Sequence, residues 1–341
     1  MLKRSMIVIT AAALLLAPCF SGDPALAASK KAVIQFVNTL PENELLAEHL
    51  HAAAKDVLSK SGMTVRLQMV AGPGDGSQEE TFRWMRAGRI DGGVFSAGVL
   101  GKMSGNYLIP GLPRFLLDYQ EVDAVRAKFE ELLTNELGNK GYLSMGMIEA
   151  GFVYFMGKEP IRKPSGLLGK KLWTPPWDDI SQSSVMATGA EMVKLPFQEV
   201  AAALKDGRVD VVAASPMLAE SLGWTESVKY VTDLPLLFHY GAICFTQEGW
   251  DRIPENQRED IHDVLVRHSA EISEESRKRN QAAINIMRAK GIVFVKMDPR
   301  SMTTVDRTAE AANRMIRARG LYDVRMFDRI FRVVQTLRAL R

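Results

Sequence analysis

The stretch from Lys170 to Pro216 constrains this chain most. Apolar runs alternate with helical stretches in the order strand, helix, strand, helix, strand: Leu172-Trp173-Thr174, then Glu191-Met192-Val193, then Val209-Asp210-Val211-Val212-Ala213-Ala214. Strands alternating with helices predict parallel pairing with helices laid on the sheet. The last step has an echo upstream. Gly207-Arg208-Val209-Asp210 leads through an apolar run to Ser215-Pro216, as Gly88-Arg89-Ile90-Asp91 leads through Val94-Phe95 to Ser96-Ala97. Glycine ends a helix readily because it accepts positive φ. Two units built alike predict an α/β fold with two lobes and a crevice where their strand ends meet.

The length of 341 residues suits about two domains, and 47% hydrophobic with 24% charged residues is an ordinary globular composition. A net charge of +3 gives no ground for nucleic-acid binding. Lys3 and Arg4 precede an apolar run from Met6 to Ala17, and Ala25-Leu26-Ala27 is a small-x-small site. This reads as a signal peptide over residues 1–27, with an uncleaved anchor as the alternative, and the mature chain as exported to the periplasm. Pro18 spoils a lipoprotein box at Cys19. Cleavage leaves Cys244 alone in an apolar strand, so a buried thiol is expected and no internal disulfide.

In order along the chain, Lys31–Val37 and Thr64–Val70 read as strands around a helix whose Leu46, Leu50, Ala53 and Val57 form one buried stripe. The glycine-rich loop before Ser77 lacks the spacing and the lysine of a phosphate cradle, and Ser77 with Glu80 fits a capping box. Tyr142–Ile148 and Gly151–Met156 read as two strands with the lobe boundary between them. The first domain is placed at residues 28–150 plus about 235–255, the second at 151–234 plus about 285–300. A long helix over 256–284 spans both. Residues 301–341 form terminal helices laid across them through Met315, Ile316, Phe327, Ile330, Phe331 and Val334. Residues 300–341 hold ten arginines against four acids. Its plain reading is a solvated helix face; a basic docking surface for a membrane partner is the sharper one.

No constellation makes a positive case for catalysis or a cofactor. His49 and His51, two apart on a helix, point to different faces, and no Cys/His set has zinc spacing. Ser96-Ala97-Gly98 resembles part of a nucleophile elbow, but Val94 stands where glycine is required. An exported hydrolase using Ser96 or Ser215 is the rival reading from another class. The case for binding is better. Phe95 and Ser96 from one lobe, and Tyr154, Trp173, Trp177, Ser215 and Met217 from the other, gather where strand ends meet, with Asn38 at the end of the first strand. Each aromatic is equally explicable as core. Trp173 and Trp177 flank Pro175-Pro176, where large rings are harder to bury. The expected site has aromatic walls, with Asn38, Ser96 and Ser215 orienting polar atoms.

At these residues the chain resembles the solute-binding subunit of TRAP transporters, the tripartite ATP-independent periplasmic carriers. The marks are the helix at Glu80 to Gly88 followed by Ile90-Asp91, Leu112-Pro113-Arg114-Phe115-Leu116, Gly166-Leu167-Leu168-Gly169-Lys170-Lys171-Leu172, Gly189-Ala190, and Glu199 to Gly207 with Val209-Asp210 and Pro216. The resemblance implies a two-domain, type II-like periplasmic binding fold with a helix spanning both domains, closure around a ligand, and delivery to membrane subunits. Members of the family carry an arginine for a substrate carboxylate just after the Gly-x-Lys-Leu stretch; Trp173 stands there, and Val153-Tyr154 replace a second arginine. Gly151-Phe152-Val153-Tyr154-Phe155 resembles a divergent branch in which some members work with a tetratricopeptide-repeat protein. The ligand expected on this basis is a largely apolar or amphipathic small molecule. The alternative is an organic acid whose charge is met by Arg114 or Arg162.

Overall fold

The structure, a computed structural model, describes residues 31–39, 44–73 and 77–341. The expected signal segment with Cys19, the loop at 40–43 and the glycine-rich turn at 74–76 lie outside the described residues. No helix among the described residues is long and apolar enough to cross a membrane.

The first lobe is built on β1 (Ala32–Val37), α1 (Glu44–Lys60), β2 (Val65–Met69), α2 (Gln78–Arg86), β3 (Gly92–Ser96), α3 (Ala97–Met103) and α4 (Tyr119–Gly138). A long strand, β4 (Tyr142–Gly157), runs on into the second lobe. There lie β5 (Lys171–Thr174), α5 (Asp179–Thr188), β6 (Glu191–Lys194), α6 (Phe197–Asp206), β7 (Val211–Ala214), α7 (Pro216–Ser221) and β8 (Tyr230–Thr232). The chain returns on β9 (Leu237–Thr246) and α8 (Gln247–Asp251), then α9 (Glu255–Ala289), β10 (Val293–Val295), α10 (Met302–Ala318) and α11 (Val324–Ala339). The strands follow the order β2-β1-β3-β9-β4-β7-β5-β6, with β8 joining β4 to β10.

The repeated sequence step has one physical meaning in both lobes. Gly88 (φ 68°) and Gly207 (φ 79°) close their helices in the left-handed region. The aspartate three residues on then extends a parallel ladder. Asp91 donates its N–H to Gln35 O and accepts from Gln35 N at 2.7 Å; Asp210 donates to Lys171 O and accepts from Lys171 N at 2.9 Å. Each carboxylate stands in for a backbone carbonyl at the mouth of a strand.

The two strands expected on either side of Glu149 are one strand. β4 pairs with β9 up to Val153 and with β7 from Tyr154, with irregularities at Ser144/Met147 and Glu149/Gly151. Side chains of α9 supply the bonds that the broken ladder lacks. Ser273 Oγ donates to Met147 O and accepts from Glu149 N at 3.2 Å. Asn280 Nδ2 donates to Ala150 O at 3.0 Å. Gly151 has φ 99°, and a Cβ there would lie 2.5 Å from Asn280 Nδ2, so this crossing needs glycine.

α9 packs against α1 in one lobe and α7 in the other. Its Ile261, Leu265 and Ile272 join the core beneath β1 and β2, and Met287 joins the core of the second lobe. Ile316, Ile330 and Val334 are buried in the core of the first lobe. α10 lies along α5 and α11 along α4.

Candidate functional site

Strand ends from both lobes meet at a cavity of about 160 Å³. β5 and β7 bring Leu172, Trp173, Ala213 and Ala214 to it, and the loop after β5 adds Pro175 and Trp177. One face of β4 contributes Val153 and Phe155, and the approach to β9 contributes Leu234, Leu236 and Leu237. α10 closes a side with Val305, Thr308, Ala309 and Ala312, which recur at helical spacing on one face. The walls are mainly apolar, as a small-molecule site requires.

Polar groups are few, and most are spent on the fold. Gln78 Oε1, at the start of α2, accepts from Ser96 N at 2.9 Å. Ser215 Oγ accepts from Leu218 N at 3.4 Å, capping α7. Asp178 caps α5, accepting from Ile180 N, Ser181 N and Ser181 Oγ. The Trp173 indole donates to Leu195 O at 2.9 Å, and its ring packs against Trp224 at 4.9 Å and Phe197 at 5.4 Å. It therefore offers a ligand carbon surface only.

Arg114 and His239 keep polar capacity. Arg114 lines the cavity, its side chain only 14% exposed. Its Nη1 donates to Pro235 O at 3.0 Å and its Nε to Asp306 at 3.3 Å, which uses two of the five guanidinium N–H groups. Its φ of 55° is unusual for arginine. Such outliers persist where the surroundings enforce them, often at ligand sites. Here Arg114 N donates to Leu236 O at 2.7 Å, tying the turn to the strand beside it. His239 also faces the cavity. Burial pulls its pKa below the ordinary histidine value, and the nearby Asp178 charge opposes that shift.

Of the residues singled out in the sequence, Ser96, Trp173, Trp177, Ser215 and Met217 line the cavity. Three others lie elsewhere. Phe95 is wholly buried on the other face of β3, edge-on to Phe82 at 6.2 Å. Tyr154 sits between Val153 and Phe155, and alternation along β4 turns it to the opposite face, against two core clusters. Asn38 stands at the end of β1, away from the lining; beside it Thr39 Oγ1 donates to Val94 O at 2.5 Å. Arg162 lies in a separate surface hollow with Lys163 and Lys296. Sequence reasoning left out His239, Phe197 and the α10 face. The small-residue spacing on α10 was the one signal available.

Ser96, His239 and Asp178 share the cavity, yet among the described residues no hydrogen bond joins Ser96 Oγ to His239 or His239 to Asp178.

Solved structures share this fold. A TRAP periplasmic solute-binding protein from a Sulfitobacter species, with bound β-D-galacturonate, is 20% identical, with coverage of 88% of this chain and 98% of that one and a TM-score of 0.77. Another from Desulfovibrio salexigens, with bound orotic acid, is 18% identical over 89% and 100%, with a TM-score of 0.76. The sugar acid binding protein of Advenella mimigardefordensis, in complex with galactonate, is 16% identical over 90% and 99%, with a TM-score of 0.80. The family described as bacterial extracellular solute-binding protein, family 7, matches residues 36–317. That span takes in both lobes, the spanning helix and all the cavity lining, and the chain belongs to this family.

Proposed function

We propose that this chain is the periplasmic binding subunit of a TRAP-type carrier and that it closes on an amphipathic organic acid. The observation that carries this reading is the Arg114 guanidinium set in a cavity whose other walls are mainly apolar. A guanidinium favours a carboxylate through charge and fork geometry. Trp173, Trp177 and Phe197 suit an apolar body. The solved relatives hold acids of a more polar kind, which supports the acid group and leaves the apolar body to this chain's own lining. The bound solute would then pass to membrane subunits.

A second reading, a neutral apolar ligand, rests on Trp173, whose one donor is already given to Leu195. Tryptophan fluorescence separates the two readings when the protein is titrated with medium-chain acids, aromatic acids, galacturonate and alcohols of matching chain length. The expected order is amphipathic acids tightest, alcohols and galacturonate weak. Arg114→Gln is expected to weaken acid binding by ~10- to 100-fold, the worth of a charge-assisted hydrogen bond of about 1.5–3 kcal/mol, and to leave alcohols unchanged. Alcohols binding as tightly as acids would favour the neutral ligand. Tight galacturonate binding that is insensitive to Trp173→Ala would sink both.

A further inference from the structure

We infer that α1 and α9 together form a binding site for a divalent transition metal of the zinc class, made by His49, His268 and Glu271. The site lies apart from the ligand cavity and does not depend on the proposed function. His49 lies on α1, and the other two lie one turn apart on α9. One ligand atom from each comes within 4.8 Å of the others. Glu271 Oε2 stands 3.3 Å from His268 Nδ1 and 3.8 Å from His49 Nδ1. Tetrahedral zinc with bonds of about 2.0–2.1 Å needs donors about 3.3 Å apart.

Three observations distinguish this from an ordinary acidic patch. First, His268 is 3% exposed, and its Nδ1 is buried with no hydrogen-bond partner, although the Glu271 oxygen is near. A buried lone pair without a hydrogen-bond partner is open to a metal, and a 3.3 Å N···O separation suits two donors bound to one ion lying beside the line that joins them. Second, both rings are held by their other nitrogen. His268 Nε2 faces Asp56 Oδ2 and His49 Nε2 faces Glu275 Oε2, each at 3.1 Å. A carboxylate there favours the proton on Nε2 and leaves the Nδ1 lone pair for a metal, the outer-shell arrangement usual for histidine ligands; Arg267 Nη2 lies farther from His268 Nε2, at 3.5 Å. Third, the remaining carboxylate oxygens are braced. Arg267 holds Glu271 Oε1 at 3.0 Å and also Asp56, and Arg279 holds Glu275 Oε1 at 2.8 Å. Glu271, Asp56 and Glu275 still outnumber the two arginines, leaving net negative charge for a cation. His49, Glu271 and Glu275 line a surface hollow, so a water can take the fourth position.

Two imidazoles and one carboxylate suit zinc and its neighbours better than magnesium or calcium, which take oxygen ligands. The test is isothermal titration of the chelator-treated chain with zinc and with magnesium, alongside His49→Gln and Glu271→Gln. Both substitutions are partly exposed, and circular dichroism confirms that the variants fold. One zinc per chain is expected, no uptake of magnesium, and a loss of zinc affinity of at least ~10-fold in each variant. Zinc is also expected to raise the thermal midpoint of the parent chain but not of His49→Gln. Failure of the parent chain to take up zinc, or a loss below that size in either variant, would overturn the assignment.

Discussion

At the scale of single residues, what a side chain offers a ligand depends on what it has already given to the fold. Trp173 has a donor and Ser215 a hydroxyl, yet both are committed, to Leu195 O and to Leu218 N. Cys244 is the same kind of case: burial pushes its thiol up to about 12, so it behaves as a small apolar side chain. His239 is the cavity group whose ionisation matters near neutral pH. Its folded pKa lies below the ordinary 6.5, so below that pH the unfolded chain binds a proton that the folded chain resists. Stability is then fully present above 6.5 and declines as pH falls toward the folded value. His239→Gln is expected to flatten this part of the profile, measured as the denaturant midpoint against pH. An unchanged slope would mean that the ring is not held neutral. Legibility at this scale was partial. Aromatic residues near strand ends were visible in the sequence, but the face each one takes was not, and Phe95 and Tyr154 fell on the other side by a single step of the strand period.

At the scale of elements, the long helix does more than bridge the lobes. Ser269, Ser273, Ser276 and Asn280 present one small polar face of α9 to β4, at the point where the strand changes partner from β9 to β7. Asn280 is the node. It donates to Ala150 O, and its Oδ1 accepts from Met217 N at 3.1 Å; Ala150 and Met217 both line the cavity. Asn280→Ala would leave the buried Met217 N–H and the half-buried Ala150 carbonyl without this partner. It is expected to cost about 2 kcal/mol or more of stability by denaturant unfolding and to weaken ligand binding as well. A loss below ~0.5 kcal/mol would mean that water replaces the amide. Arginines of the C-terminal tail also bond to the fold, Arg338 half-buried and Arg319 and Arg341 at the surface. Arg338 pairs with the buried Glu121 at 2.9 Å and donates to Phe115 O, Arg341 pairs with Asp118, and Arg319 reaches Asp179 at 2.8 Å. These contacts seat α10 and α11, leaving less of the tail's basic charge for a docking surface than its composition suggests.

At the scale of the whole molecule, ligand access and lobe motion are one question. Gln78 and Ser96 come to the cavity from one lobe and Trp173, Trp177 and Met217 from the other, while β4, β9 and α9 cross between them. A ligand that touches both walls stabilises the closed arrangement by the difference in its affinity for the two states. Small-angle scattering is expected to show a smaller radius of gyration with a tight-binding acid than without it. No change at saturation would place the ligand outside the crevice. The sequence by itself determined the alternation of strands and helices, the repeated Gly-Arg-x-Asp step and the long helix after Pro254, because each is written in local periodicity and in residues with special backbone freedom. The tertiary structure alone decided that β4 is a single strand, that Arg114 rather than Arg162 reaches the cavity, and that His49 meets His268. Those outcomes depend on which distant surfaces pack together and which polar groups they satisfy, and no local window of residues holds that information.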